Sequence, residues 1–100
     1  MATTRAVRPD ELDELLDLYE MLYEEPQART DAVEAAWEAV QNDDSTVVLG
    51  VEHEGHLVST CQLSIVPSIA HGGRPFAVIE FVVTHEDHRG EGFGSQCVEA

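Results

Sequence analysis

One hundred residues leave room for one small domain with a single core, and an apolar share of 43% falling in periodic blocks excludes a disordered chain. Twenty acidic side chains face five arginines and no lysine, a formal charge of −15 that excludes the basic patch a nucleic acid or anionic membrane would need. No apolar run approaches the roughly 20 residues that cross a bilayer, and the opening Met-Ala-Thr-Thr-Arg has no apolar signal core, so a soluble cytoplasmic protein is expected.

Charge of one sign on so small a domain costs stability through self-repulsion. At 1 M salt the Debye length falls to roughly 3 Å and most of that cost disappears. A halophilic host that accumulates salt is therefore expected, with a merely acidic protein as the alternative. Cys61 and Cys97 lie too far apart for a metal knuckle or redox motif and are expected as buried, reduced thiols.

Along the chain, Thr3 to Arg8 reads as a short strand, and Pro9-Asp10 opens a helix with acids in its first turn. Leu12, Leu15, Leu16, Tyr19 and Leu22 give that helix one apolar face. Its other face, Glu11, Asp13, Glu14, Asp17 and Glu20, reads as solvated, and Glu24-Glu25-Pro26 ends it. Thr30 or Asp31 caps a second helix with Val33, Ala36, Trp37 and Val40 as its stripe, closed by residues 41–44. Val47 to His53 and His56 to Pro67 are β-rich runs joined through Glu54-Gly55, the signature of a tight hairpin. A loop from Ser68 to Pro75 leads to Phe76–His85, apolar on both alternating faces apart from Glu80. That pattern predicts a central strand covered on two sides. A glycine-rich turn follows, and a helix begins near Gly92.

A strand, a short turn, Gly90-x-Gly92-x-Gly94 and a helix form an anion-binding arrangement. Glycines let the backbone approach a phosphate, and the first N–H groups of a helix lack intrahelical partners. A nucleoside-triphosphate loop needs a lysine, which the chain lacks. A dinucleotide fingerprint needs a third glycine where Ser95 stands, and it normally opens its domain. Arg89-x-x-Gly92-x-Gly94 instead resembles the Arg/Gln-x-x-Gly-x-Gly/Ala motif of the GNAT N-acetyltransferases. The order strand, two helices, hairpin, long apolar strand, loop and helix is similar to that family's, as is the opening Val7 to Leu12. The resemblance covers the whole chain, and its specific part is residues 79–95.

The resemblance implies an α/β (α+β) fold: a mixed, mostly antiparallel sheet flanked by helices, with residues 1–100 forming one partial domain whose C-terminal part is absent. It implies acetyl-CoA as co-substrate and a small-molecule or peptide amine as acceptor; whether the chain pairs with itself is left open. The backbone of Val82, Val83 and Thr84 would pair with the pantetheine arm. Gly90, Glu91, Gly92, Phe93, Gly94 and Ser95 would cradle the pyrophosphate with their N–H groups, and Arg89 would add a positive charge.

Such transferases generally attack directly, so they need a base and an oxyanion donor rather than a nucleophilic Cys or Ser. Glu80 is the candidate base, because a carboxylate on a two-sided apolar strand is costly unless paired or used in chemistry. Ile79-Glu80-Phe81-Val82-Val83 also resembles the corresponding stretch of glucosamine-6-phosphate N-acetyltransferases, with Phe81 replacing their Asp. A structural role for Glu80 is the alternative. The Val82 amide is the candidate oxyanion donor. His85 and His88 lack an evident third ligand, so no metal is expected. His71 and Arg74 sit in the loop where relatives admit the acceptor and are expected to be solvated. Two functions of different class remain: an acetyltransferase, or a non-catalytic remnant or binding module completed by a partner at the edge of the long strand.

Overall fold

A computed structural model describes residues 2–98, apart from the side chain of His71. The elements in chain order are β1 (Ala2–Ala6), a 3-10 turn (Pro9–Glu11), α1 (Leu12–Tyr23), α2 (Asp31–Asn42), β2 (Thr46–His53) and β3 (His56–Val66). A 3-10 turn (His71–Gly73) precedes β4 (Phe76–Thr84), and another (Glu86–His88) precedes α3 (Phe93–Val98). The strands form one antiparallel sheet in the order β1-β2-β3-β4.

Local chemistry sets most boundaries. The Thr30 hydroxyl accepts from the Val33 N–H at 3.2 Å and caps α2. Glu24 takes a left-handed conformation and ends α1, its N–H reaching the Glu20 carbonyl. Glu54 and Gly55 have φ of 53° and 82°, the pair of left-handed residues that closes a two-residue hairpin with the right twist.

Apolar side chains pack on both faces of the sheet. On one face Leu12, Leu15, Leu16 and Leu18 of α1 bury against Val48, Leu57 and Val83, with Trp37 and Val40 of α2 covering the margin. On the other, Phe93 and Cys97 of α3 pack against Val51, Val58 and Cys61. Two register shifts make this possible. Val51 pairs with Ser59 but Glu52 with Leu57, so Val58 is an extra residue that reverses the facing of β3. Thr60 pairs with Val83 but Gln62 with Glu80, so Phe81 and Val82 together oppose Cys61.

The acidic face of α1 is not simply solvated. Glu11 accepts from Arg5 at 2.7 and 2.8 Å and from the Arg8 N–H at 2.7 Å, and Glu14 accepts from the Leu57 N–H at 2.9 Å. These carboxylates tie the helix to β1 and to the hairpin. The expected two-sided cover of β4 is also corrected. Among the described residues β4 is the edge strand, pairing with β3 alone, and Phe76, Ile79, Phe81 and Val82 are exposed. An apolar run on both faces reports how a strand could be covered, and the described elements cover it at Val83 and in part at Val78 and Thr84.

Candidate active site

β4 bends at Phe81, whose φ of 55° is left-handed and therefore strained for a side chain of this size. The bend belongs to the two-against-one pairing opposite Cys61. It also decides which side chains share a face. Glu80 and Val83 are three residues apart and would point oppositely in a regular strand. With the bulge between them both lie on the α1 face: Glu80 opposite Gln62, Val83 opposite Thr60. Phe81 reaches the same helix, its ring 6.0 Å from that of Tyr19. Burial raises the Tyr19 phenol to about 12, so it stays protonated at neutral pH.

Val82 takes the other face. With Gly94, Ser95 and Val98 of α3 it lines an open cleft of about 310 Å³. Of the residues expected in the cofactor site, the structure gathers Val82, Gly94 and Ser95 around this cleft, while Arg89 lines a separate hollow beside α1 and the β2–β3 hairpin.

The loop has the conformation its glycines permit. Gly90 and Gly92 have φ of 85° and 82°, and nothing lies within 4 Å of where a Cβ would stand at either. Backbone geometry, rather than crowding, requires glycine there, and the space beside the backbone is open to a ligand. The first intrahelical bond of α3 runs from the Gln96 N–H to the Gly92 carbonyl at 3.0 Å. The N–H groups of Phe93, Gly94 and Ser95 therefore precede the helical ladder and remain available to an anion.

Arg89 is exposed, and its Nε donates to the Thr84 carbonyl at 3.2 Å. Arg5, Arg8 and Arg29 are each paired with carboxylates. Among the described residues no such pair involves Arg89, although Glu86, Asp87 and Glu91 stand near it in sequence. Val83 differs from expectation. Its carbonyl accepts from the buried Ser59 hydroxyl at 3.1 Å, so that oxygen is turned into the sheet rather than toward the free edge.

Glu80 lies on the exposed part of β4, so the burial argument for its being costly does not hold. What the structure offers is position, next to the bulge and on the α1 face. Arg74 is exposed, as expected, while the His71 side chain lies outside what is described. His85 and His88 gather with an unforeseen third imidazole, His53. The ring centres of His53 and His88 are 5.7 Å apart, those of His85 and His88 5.8 Å, and both His53 and His88 touch Phe93. Among the described residues no three His, Cys, Asp or Glu side chains are arranged to hold a metal ion. Thirty-odd residues separate His53 from His88, and no local pattern could have signalled their meeting.

The fold has counterparts among known proteins. The sequence profile described as the acetyltransferase (GNAT) family matches residues 12–100. A putative acetyltransferase from Agrobacterium tumefaciens str. C58 superposes with a TM-score of 0.88 at 35% identity, over 96% of this chain and 67% of that one. The chain belongs to the GNAT acetyltransferase family. An acetyltransferase from Trypanosoma brucei superposes with a TM-score of 0.82 at 26% identity, over 99% of this chain and 70% of that one. Glucosamine-6-phosphate N-acetyltransferase from Arabidopsis thaliana has the same fold, with a TM-score of 0.83 at 21% identity over 99% of this chain and 70% of its own. No curated protein matches the chain. GNAT enzymes transfer acyl groups from acetyl-CoA to amines, and that general activity comes with membership. No helix among the described residues is long and apolar enough to cross a membrane.

Proposed function

We propose that this chain moves the acetyl group of acetyl-CoA to the primary amine of a small molecule or peptide by direct attack. The observation that carries the reading is the cleft shared by Val82 of the bulged strand and Gly94 and Ser95 of the loop. The residues suit the cofactor. Two glycines in left-handed conformation leave open space beside the backbone, N–H groups precede the helix ladder, and an exposed arginine stands at the start of the loop. Acetyl-CoA, when bound, supplies an activated acetyl thioester.

In this reading Gly90 to Ser95 hold the pyrophosphate with backbone N–H groups, and Arg89 offsets part of its charge. The open edge of β4 from Val82 to Thr84 aligns the pantetheine arm. Of these three residues, Val82 lines the cleft with Gly94 and Ser95. Its amide, at the bulge, is the donor for charge developing on the acetyl oxygen. Glu80 takes the ammonium proton, directly or through water. The carboxylate on one face and the cofactor cleft on the other meet at the residue where the strand bends.

Calorimetric titration of acetyl-CoA into the chain in molar potassium chloride tests the cofactor half. Wild type should bind, and Arg89→Ala combined with Gly92→Trp should abolish binding. A folded wild-type chain that takes up no heat would refute it and favour a non-catalytic module completed by a partner. An amine panel with Glu80→Gln tests the base: loss of about 10²-fold or more in kcat at unchanged acetyl-CoA affinity is expected.

A further inference from the structure

We propose that Ser59 is a positioning residue for the cofactor cleft, its buried hydroxyl setting the spacing between the end of β4 and the first turn of α3. The inference rests on the reading of that cleft as the acetyl-CoA site. Ser59 is fully buried in the middle of β3. The extra residue at Val58 turns its side chain to the α3 face, where it lies opposite Thr84.

The Ser59 Oγ lies 3.1 Å from the Val83 carbonyl and 3.1 Å from the Thr84 Oγ1. A serine hydroxyl has one proton, and a carbonyl can only accept. The proton therefore goes to Val83, and Thr84 donates to Ser59. This short relay fixes the Thr84 side chain. The Thr84 Oγ1 in turn stands 3.2 Å from where a Cβ on Gly94 would sit, which makes it the contact surface for the first turn of α3. Gly94 lines the cleft with Val82, Ser95 and Val98. From the other side, the carbonyl of the same Thr84 receives the Arg89 Nε. One residue thus touches both the loop's arginine and its helix, and Ser59 holds that residue in place.

A neighbouring residue separates positioning from general stability. Thr60 is equally buried and donates to the Leu49 carbonyl at 2.7 Å. It pairs with Val83, whose side chain lies in the α1 cluster, so its hydroxyl bond belongs to the opposite face and does not touch Thr84. Ser59→Ala and Thr60→Val each delete one buried hydroxyl bond from the same strand.

The test compares the two variants with wild type by thermal melting, acetyl-CoA titration and amide exchange at Gln96, whose N–H closes the loop onto the Gly92 carbonyl. Both variants should melt lower by similar amounts. Only Ser59→Ala should weaken acetyl-CoA binding, by about three- to tenfold, the equivalent of one hydrogen bond. Only Ser59→Ala should speed exchange at Gln96 without ligand. Equal changes in Kd and Gln96 exchange for the two variants, or an unchanged Kd in Ser59→Ala, would overturn the proposal. If wild type binds no acetyl-CoA, the functional reading fails, and the exchange comparison alone decides whether Ser59 holds the loop.

Discussion

Gly92 and Gly94, two residues apart in one loop, are constrained in different ways. Gly92 has a left-handed φ of 82° and empty space around it, so any side chain there is strained by the backbone alone. Gly94 has ordinary helical geometry, and its constraint is the 3.2 Å approach to the Thr84 hydroxyl. Gly92→Ala should lower unfolding free energy by about 1–2 kcal/mol. Gly94→Ala gains about 1 kcal/mol of helix propensity, which offsets the crowding and leaves stability nearly unchanged. Urea unfolding of both variants checks the contrast, and equal losses would mean that the loop does not hold these conformations. The motif spacing was legible in the sequence, but the two reasons were not, because one depends on a dihedral angle and the other on a residue from β4. The cysteines show the same limit. Their sulfurs lie 3.3 Å apart, and burial foremost, with the Cys61 contact, raises the Cys97 thiol to about 12. Burial was foreseeable from composition; adjacency across 36 residues was not.

At the scale of elements, periodicity and capping chemistry placed α1, α2 and the hairpin within a few residues, because those signals are local. Facing was harder. A single extra residue at Val58 or Phe81–Val82 reverses every side chain beyond it, and nothing local in the sequence marks either bulge. Glu80 was read as a costly buried carboxylate because its strand is apolar on both faces, yet the described elements leave that part of β4 exposed. The start of α1 was read as a run of acids, yet Glu11 is its anchor. Arg5's hydrogen bonds hold the Glu11 carboxyl below its ordinary range; burial opposes this, and the Arg8 N–H adds to it. A depressed folded-state pKa gives stability that is present above the unfolded value of 4.5 and lost as pH falls through the folded one. The stability gap between wild type and Glu11→Gln should therefore be full at pH 7, about 2 kcal/mol, and shrink below pH 4.5. Denaturation series at pH 7, 5 and 3 check this, and a gap that widens toward acid would reverse the assignment.

Across the whole molecule the charge balance, more than any single contact, governs the conditions under which the fold is stable. Among the described residues three of the five arginines are held in ion pairs, with Asp13, Glu11, Glu34 and Glu52, and five arginines cannot pair most of the twenty carboxylates. Two of those pairs, on Arg29, are exposed and contribute little even in dilute buffer. Adding salt therefore screens many repulsions and few strong attractions, and the balance falls on the side of stabilisation. Raising potassium chloride from 0.1 to 2 M should lift the melting temperature by about 5–10 °C, the shift of roughly one to two kcal/mol for a domain of this size. Sodium chloride should act equally, because screening does not depend on which cation supplies it, whereas specific cation binding would separate the two salts. A melting temperature that is flat or falls with either salt would mean that the partly buried Arg5–Glu11–Glu52 network outweighs the repulsion. The acidic surface would then carry no requirement for a saline interior.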